Sequence, residues 1–115
     1  MIKADSDKVK KFCAARDWDQ FHTPDQLAVG LATESAELLA LFRFKSPEQI
    51  QALVVSETGR TKVSDELADV YFFLLRFTQM NQLDLSQVLE AKLAKNEAKY
   101  PVEKSRGRNL KYDEL

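Results

Sequence analysis

The sequence predicts an all-α fold: an antiparallel bundle of about four helices, assembled as an oligomer. Three observations predict it. Only three Gly and three Pro occur in 115 residues, so few positions interrupt a helix. Apolar residues recur at steps of three and four, and no segment shows strand-like alternation. Finally, the run Val70-Tyr-Phe-Phe-Leu-Leu75 has no polar face. A helix apolar on all sides must be covered on all sides, and four modest helices from one chain are too few to do so.

The elements follow in order. A short first helix is expected from about Asp5 to Arg16. The second opens at Thr23-Pro24-Asp25, where Thr23 can cap and Pro24 suits the first helical position, and it runs to about Phe44. Pro47 to about Glu57 forms a short extra helix ended by Gly59, and a long helix from Gly59 or Thr61 reaches Met80. The fourth follows the Leu83-Asp84-Leu85 link and stops before Pro101, leaving residues 102–115 as an irregular basic tail. No linker separates these pieces, so a single helical domain over 1–115 is expected.

Composition narrows the functional classes. A hydrophobic share of 44% beside 30% charged residues suits a globular chain rather than a disordered one. With 17 basic and 18 acidic residues the net charge is −1, which argues against a nucleic-acid partner, since such proteins carry a basic excess. MIKADSDKVKK is too charged for a signal peptide, and the run ending at Leu75 is too short for a membrane span, so no membrane partner is expected. The lone Cys13 can form no internal disulfide, and no Cys/His cluster exists for zinc; a reducing cytoplasm is the expected setting. Cys13 reads as a small hydrophobe on a helix face, its only candidate base being the sole histidine, His22.

Two pairs of acids break the pattern. Leu27, Leu31, Leu38 and Leu41 form the apolar stripe of the second helix, and Glu34 occupies its missing step, with Glu37 one turn further. Val63, Val70, Phe73 and Phe77 form the stripe of the third long helix, where Glu66 fills the gap and Asp69 lies beside it. Burying an ionised carboxylate is costly unless it is paired or binds a cation. Pairing with Arg43, Lys62 or Arg76 is one solution; a divalent cation shared by all four acids is the other, and the repeat on two helices favours it. All-oxygen ligands suit Mg²⁺ or Mn²⁺. No Glu-x-x-His motif suggests a di-iron site. A carboxylate-held Mg²⁺ most often serves phosphate chemistry, which makes a polyphosphate the expected substrate. On the fourth helix Leu85, Val88 and Leu89 define a buried side, and Lys92, Asn96 and Tyr100 continue it with one cation and two hydrogen-bonding groups.

Together, ExxE at 34–37, ExxD at 66–69, and Lys92-xxx-Asn96 followed by KYP resemble the all-α nucleoside triphosphate pyrophosphohydrolases of the MazG-like superfamily. RDWDQFHTP at 16–24, ahead of ESAELLALFRFK, is similar to the small single-domain dCTP pyrophosphatases, and the resemblance continues to the SRGRNLKYDEL tail. It implies Mg²⁺-dependent hydrolysis between the α- and β-phosphates, releasing a nucleoside monophosphate and pyrophosphate in nucleotide-pool housecleaning. It implies Glu34, Glu37, Glu66 and Asp69 as metal ligands, one of which orients the attacking water, with Lys92 completing the catalytic set. Lys92, Asn96 and Tyr100 would contact triphosphate or sugar, and Arg106, Arg108 and Lys111 would offset remaining charge. Trp18 and His22 match the base-recognition end, with Phe44 and Phe73 as walls. Relatives often carry Trp at the first of these and Tyr at the second; Phe can stack but lacks their donor, which bears on base selectivity. A dimer or dimer of dimers with sites near subunit interfaces is implied. The competing class is a non-catalytic helical adaptor whose acids bind a structural metal.

Overall fold

Every regular segment of the computed structural model, which describes residues 1–115, is helical. The helices are α1 (Ile2–Ala15), α2 (Pro24–Phe42), α3 (Pro47–Val55), α4 (Glu57–Met80), α5 (Leu85–Lys99) and α6 (Val102–Ser105), with short 3₁₀ turns at Asp19–Phe21 and Tyr112–Glu114.

Local chemistry explains the boundaries, including those that differ from expectation. α1 starts at Ile2 rather than Asp5 because the Met1 carbonyl accepts from the Asp5 amide (2.9 Å), and the turn beyond it places Asp17 at φ 55°. Pro24 opens α2 as expected, but the Thr23 hydroxyl makes no capping bond; only its carbonyl serves the helix, accepting from the Leu27 amide at 2.9 Å. α2 ends at Phe42, two residues before Phe44, because Arg43 is extended and Phe44 turns to φ 61°. α3 opens with a reciprocal capping box: the Gln49 amide donates to Ser46 Oγ (3.2 Å) and the Ser46 amide to Gln49 Oε1 (2.8 Å).

The break before α4 is Ser56, not Gly59. Ser56 is extended (φ −68°, ψ 150°), ends α3, and caps α4 by accepting from the Gly59 amide at 3.1 Å. Gly59 is buried inside the first turn, where a Cβ would collide with the Leu53 backbone carbonyl. It serves close approach rather than helix termination. Asp84 caps α5, accepting from the Ser86 and Gln87 amides.

The chain divides into two units, Met1–Gln82 and Leu83–Leu115. In the first, α4 is the central element and α1, α2 and α3 pack on it. Contacts pair Gly30 with Phe73 and Glu37 with Glu66, so α2 runs antiparallel to α4. Ser6 meets Gln79 and Phe12 meets Phe72, so α1 is antiparallel to α4 as well. Cys13, Leu27 and Leu75 are the fully buried apolar residues, and Arg76 and Thr78 join them. Cys13 is thus the small buried hydrophobe that was expected, its thiol pushed up by burial.

In the second unit α5 is followed by α6 and the tail. Val88 and Leu89, expected on a buried side, remain 48% and 59% exposed. The tail is not wholly irregular: α6 contributes one turn, and Tyr112 packs edge-on against Tyr100 (6.2 Å) with Lys99 Nζ above its ring (4.9 Å).

The contact at Gly59 is testable. Gly59→Ala gains helix propensity yet forces a methyl into backbone, so a net loss of about 1–3 kcal/mol is expected in denaturant unfolding.

Candidate functional site

The antiparallel register of α2 and α4 brings the acids together. Glu34 and Glu37 lie one turn apart on α2, and Glu66 and Asp69 one turn apart on the facing α4. Carboxylate oxygens of Glu34, Glu37 and Glu66 all lie within 4.8 Å of one another. Asp69 stands outside that triad, but its charge still raises the pKa of both Glu34 and Glu66. Glu34 and Glu66 are half-buried in line with the stripes, whereas Glu37 and Asp69 sit at the exposed rim.

The cluster lacks an internal counter-charge. Oε2 of Glu34 and Oε2 of Glu66 are buried without a hydrogen-bond partner. Both groups are held above the ordinary carboxylate range, first by desolvation and then by the neighbouring Glu37 carboxylate. The basic residues that could have paired with them do not. Arg43 stands over the Phe44 ring (4.5 Å), and Arg76 forms the chain's one ion pair, with Asp19. Buried, unpartnered carboxylate oxygens converging from two helices are the donor set of a hard divalent cation, so the residues fit such an ion.

Beside this cluster, the Phe73 ring fills the space a Cβ on Gly30 would need. Gly30 precedes Glu34 by one turn and Phe73 follows Asp69 by one turn, so the ring borders the acids. Phe73 also packs edge-on against Phe72 (5.4 Å).

Trp18 and His22 come together on the segment between α1 and α2. Trp18 is 38% exposed and meets Phe12 edge-on at 5.6 Å and His22 at 6.1 Å. His22 Nδ1 accepts from Arg76 Nε at 2.7 Å; the Arg76 guanidinium also donates to Gln79 Oε1 (2.7 Å) and to Asp19. Burial, then the Arg76 charge, lowers the His22 pKa, while Asp19 opposes the shift. Arg76 is 1% exposed. Sequence reasoning offered it only as a partner for the acids; the available signal was a charge set directly after the apolar run 70–75.

Phe44 is not with them. It lies past the C-terminal end of α2, His22 lies before the N-terminal end, and 19 helical residues separate those ends by about 28 Å. Phe44 is 91% exposed. Lys92, Asn96 and Tyr100 belong to the second unit, with Lys92 exposed, Asn96 half-buried and Tyr100 against Tyr112. Arg106, Arg108 and Lys111 are exposed there too.

An all-α chain with facing ExxE and ExxD carboxylates and an adjoining aromatic wall has the oxygen donors to hold a metal between two antiparallel helices. The chain belongs to the MazG-like family, whose model matches residues 31–115. It is 36% identical over 105 residues to dCTP pyrophosphatase 1 of Bos taurus and 33% identical to that of Homo sapiens. These alignments cover 91% of this chain but 62% of each relative, so the chain spans less than two thirds of their length. The crystal structure of a pyrophosphatase from Archaeoglobus fulgidus superposes with a TM-score of 0.76 at 33% identity, over 83% of this chain and 87% of that one.

The raised pKa values set a sign for stability. Protonation is favoured in the folded state, so the contribution of Glu34 is fully present below the unfolded value of 4.5 and is lost as pH rises through the folded value. In chelator, Glu34→Gln and the parent are therefore expected to melt together near pH 4.5, with the variant melting higher as pH approaches neutrality. Added Mg²⁺ reverses that order; at a hundredfold excess over its dissociation constant it stabilises the parent by about 2.7 kcal/mol.

Proposed function

We propose that this chain hydrolyses deoxynucleoside triphosphates to the nucleoside monophosphate and pyrophosphate, with dCTP or a modified dCTP preferred, in cytoplasmic nucleotide-pool housecleaning. The observation that carries the reading is the convergence of Glu34, Glu37 and Glu66 with two buried oxygens left unpartnered. Membership of the MazG-like family and similarity to dCTP pyrophosphatases support the choice of reaction.

Glu34, Glu37, Glu66 and Asp69 would hold Mg²⁺, or Mn²⁺ in its place. When bound, the cation supplies positive charge against the triphosphate and acidity to the attacking water. The chain's own residues do the rest. Four carboxylates fixed on two packed helices cost no reorganisation when the substrate arrives. An exposed carboxylate, Glu37 or Asp69, would accept a proton from the attacking water. Phe73, one turn beyond Asp69, would limit water on one side of the acids. Trp18, partly exposed, would stack a base, and His22 would offer an imidazole to read it. Lys92, Asn96 and Tyr100, with Arg106, Arg108 and Lys111, remain the assignment for triphosphate and sugar on the strength of the sequence pattern alone.

Phe44 can serve the same base only if a second copy supplies it, because its own α2 holds it far from His22. Association is supported independently by large apolar side chains left in solvent, among them Val29 (57%) and Leu39 (64%) on one side of α2 and Leu67 (50%) on α4. A homodimer or homotetramer is the proposed state. Light scattering is expected to give a multiple of 13.2 kDa; a mass of one chain removes the shared-site proposal.

The reaction is tested with a panel of canonical and modified dNTPs, with Mg²⁺ and then with chelator. Expected is Mg²⁺-dependent pyrophosphate release, fastest with a cytosine base, and reduced at least about a hundredfold in folded Glu34→Gln and Asp69→Asn proteins. Orthophosphate in place of pyrophosphate overturns α–β cleavage. No turnover of any triphosphate favours a non-catalytic helical adaptor.

A further inference from the structure

The one buried arginine of the fold lies outside the carboxylate cluster. Arg76 sits on α4 at 1% exposure, and each of its three nitrogens donates, to the segment between α1 and α2 or to its own helix: to His22 Nδ1, the Asp19 carboxylate and Gln79 Oε1. Gln79 in turn donates to the carbonyl and hydroxyl of Ser6 on α1, at 2.7 and 2.8 Å. A continuous chain of hydrogen bonds therefore runs from α1 through α4 to the histidine.

A guanidinium has only donors. The nitrogen that accepts from it must present a lone pair, so Nδ1 cannot carry the imidazole proton, and the proton of neutral His22 resides on Nε2. We infer that Arg76 is a positioning residue that locks His22 as an Nε2–H donor. On the reading that His22 faces the nucleotide base, on which this inference rests, the contact is then a donation to a base acceptor such as a pyrimidine carbonyl. It cannot be an acceptance from an exocyclic amine.

The surroundings keep the lock closed over a wide pH range. Protonating His22 would place a hydrogen on Nδ1, against Arg76 Nε–H and next to a fixed positive charge. Asp19, 58% exposed, is the one nearby group that pulls the other way. Cys13 on α1 feels both Arg76 and Asp19, and its raised pKa leaves it a neutral thiol. Trp18, on the other side, does not titrate.

His22 is the only histidine, so a long-range ¹H–¹⁵N spectrum of its ring reports one residue without assignment. In the parent protein Nδ1 is expected unprotonated and Nε2 protonated, with titration below pH 6.5. In Arg76→Lys, which keeps the charge but loses the planar fork that fixes an N–H donor against Nδ1, the lock opens and a fraction of neutral His22 carries its proton on Nδ1. That tautomer turns a lone pair towards the base acceptor, so KM of the variant is expected to rise at neutral pH with the Nδ1–H fraction the spectrum reads, and to fall back towards the parent's as acid pH protonates both nitrogens. The parent shows no such recovery. Asp19→Asn breaks the ion pair yet leaves the Arg76–His22 bond, and should keep the parent's tautomer.

The parent spectrum needs no variant: a proton on Nδ1, or titration at 6.5 or above, overturns the proposal. So does an Arg76→Lys protein that folds, frees His22 and shows the parent's pH dependence of KM. If no protein turns over any triphosphate, the functional reading fails. The spectra still decide whether Arg76 sets the tautomer.

Discussion

The contact between α2 and α4 organises the first unit. The two helices approach so closely that residue 30 can carry no side chain beside Phe73, and this closeness sets the separation of the carboxylates one turn further along. Leu27 and Leu75 supply the apolar burial that holds the pair. The same burial holds Glu34 and Glu66 where their charges are least solvated. Stability of the fold is thereby set against carboxylates that repel one another.

Much of this could be read from residue spacing. Apolar steps of three and four located every long helix, and the acids in the missing stripe positions located the cluster, because helical periodicity alone determines which side chains share a face. The half-burial of Glu34 and Glu66 against the exposure of Glu37 and Asp69 was not legible, since it depends on how deeply each turn is seated in the facing helix. Thr23 had the composition of a cap without making the bond, whereas Ser46 made both halves of its box. Gly59 looked like a helix end; only the position of the Leu53 carbonyl reveals it as a spacer. Arg76 is the instructive omission. A charge on a buried face suggested the acids as partners, but its fork was taken by Asp19 and His22, 57 and 54 positions away, a tertiary pairing that no local pattern encodes.

The two units are built on different terms. In the first, one helix is surrounded by three others and by the segment that Arg76 binds to it. In the second, α5 keeps an apolar stripe of Val88, Leu89 and Leu93 half in solvent, and the tail returns to its end through two tyrosines. Apolar surface of that kind contributes to stability only where something covers it.

The corner at Ser56 carries a further consequence. One residue ends α3 and begins α4, so no slack exists between two helices whose backbones touch at Leu53 and Gly59. Lengthening this corner by a single residue would add up to about 3.5 Å of chain between them and pull α3 away from that contact. The segment 43–46 has no such coupling, because extended backbone already separates α2 from α3 there. An inserted residue is therefore accommodated more readily in the four-residue segment before α3 than at Ser56, which ties this short helix to α4 more tightly than to α2.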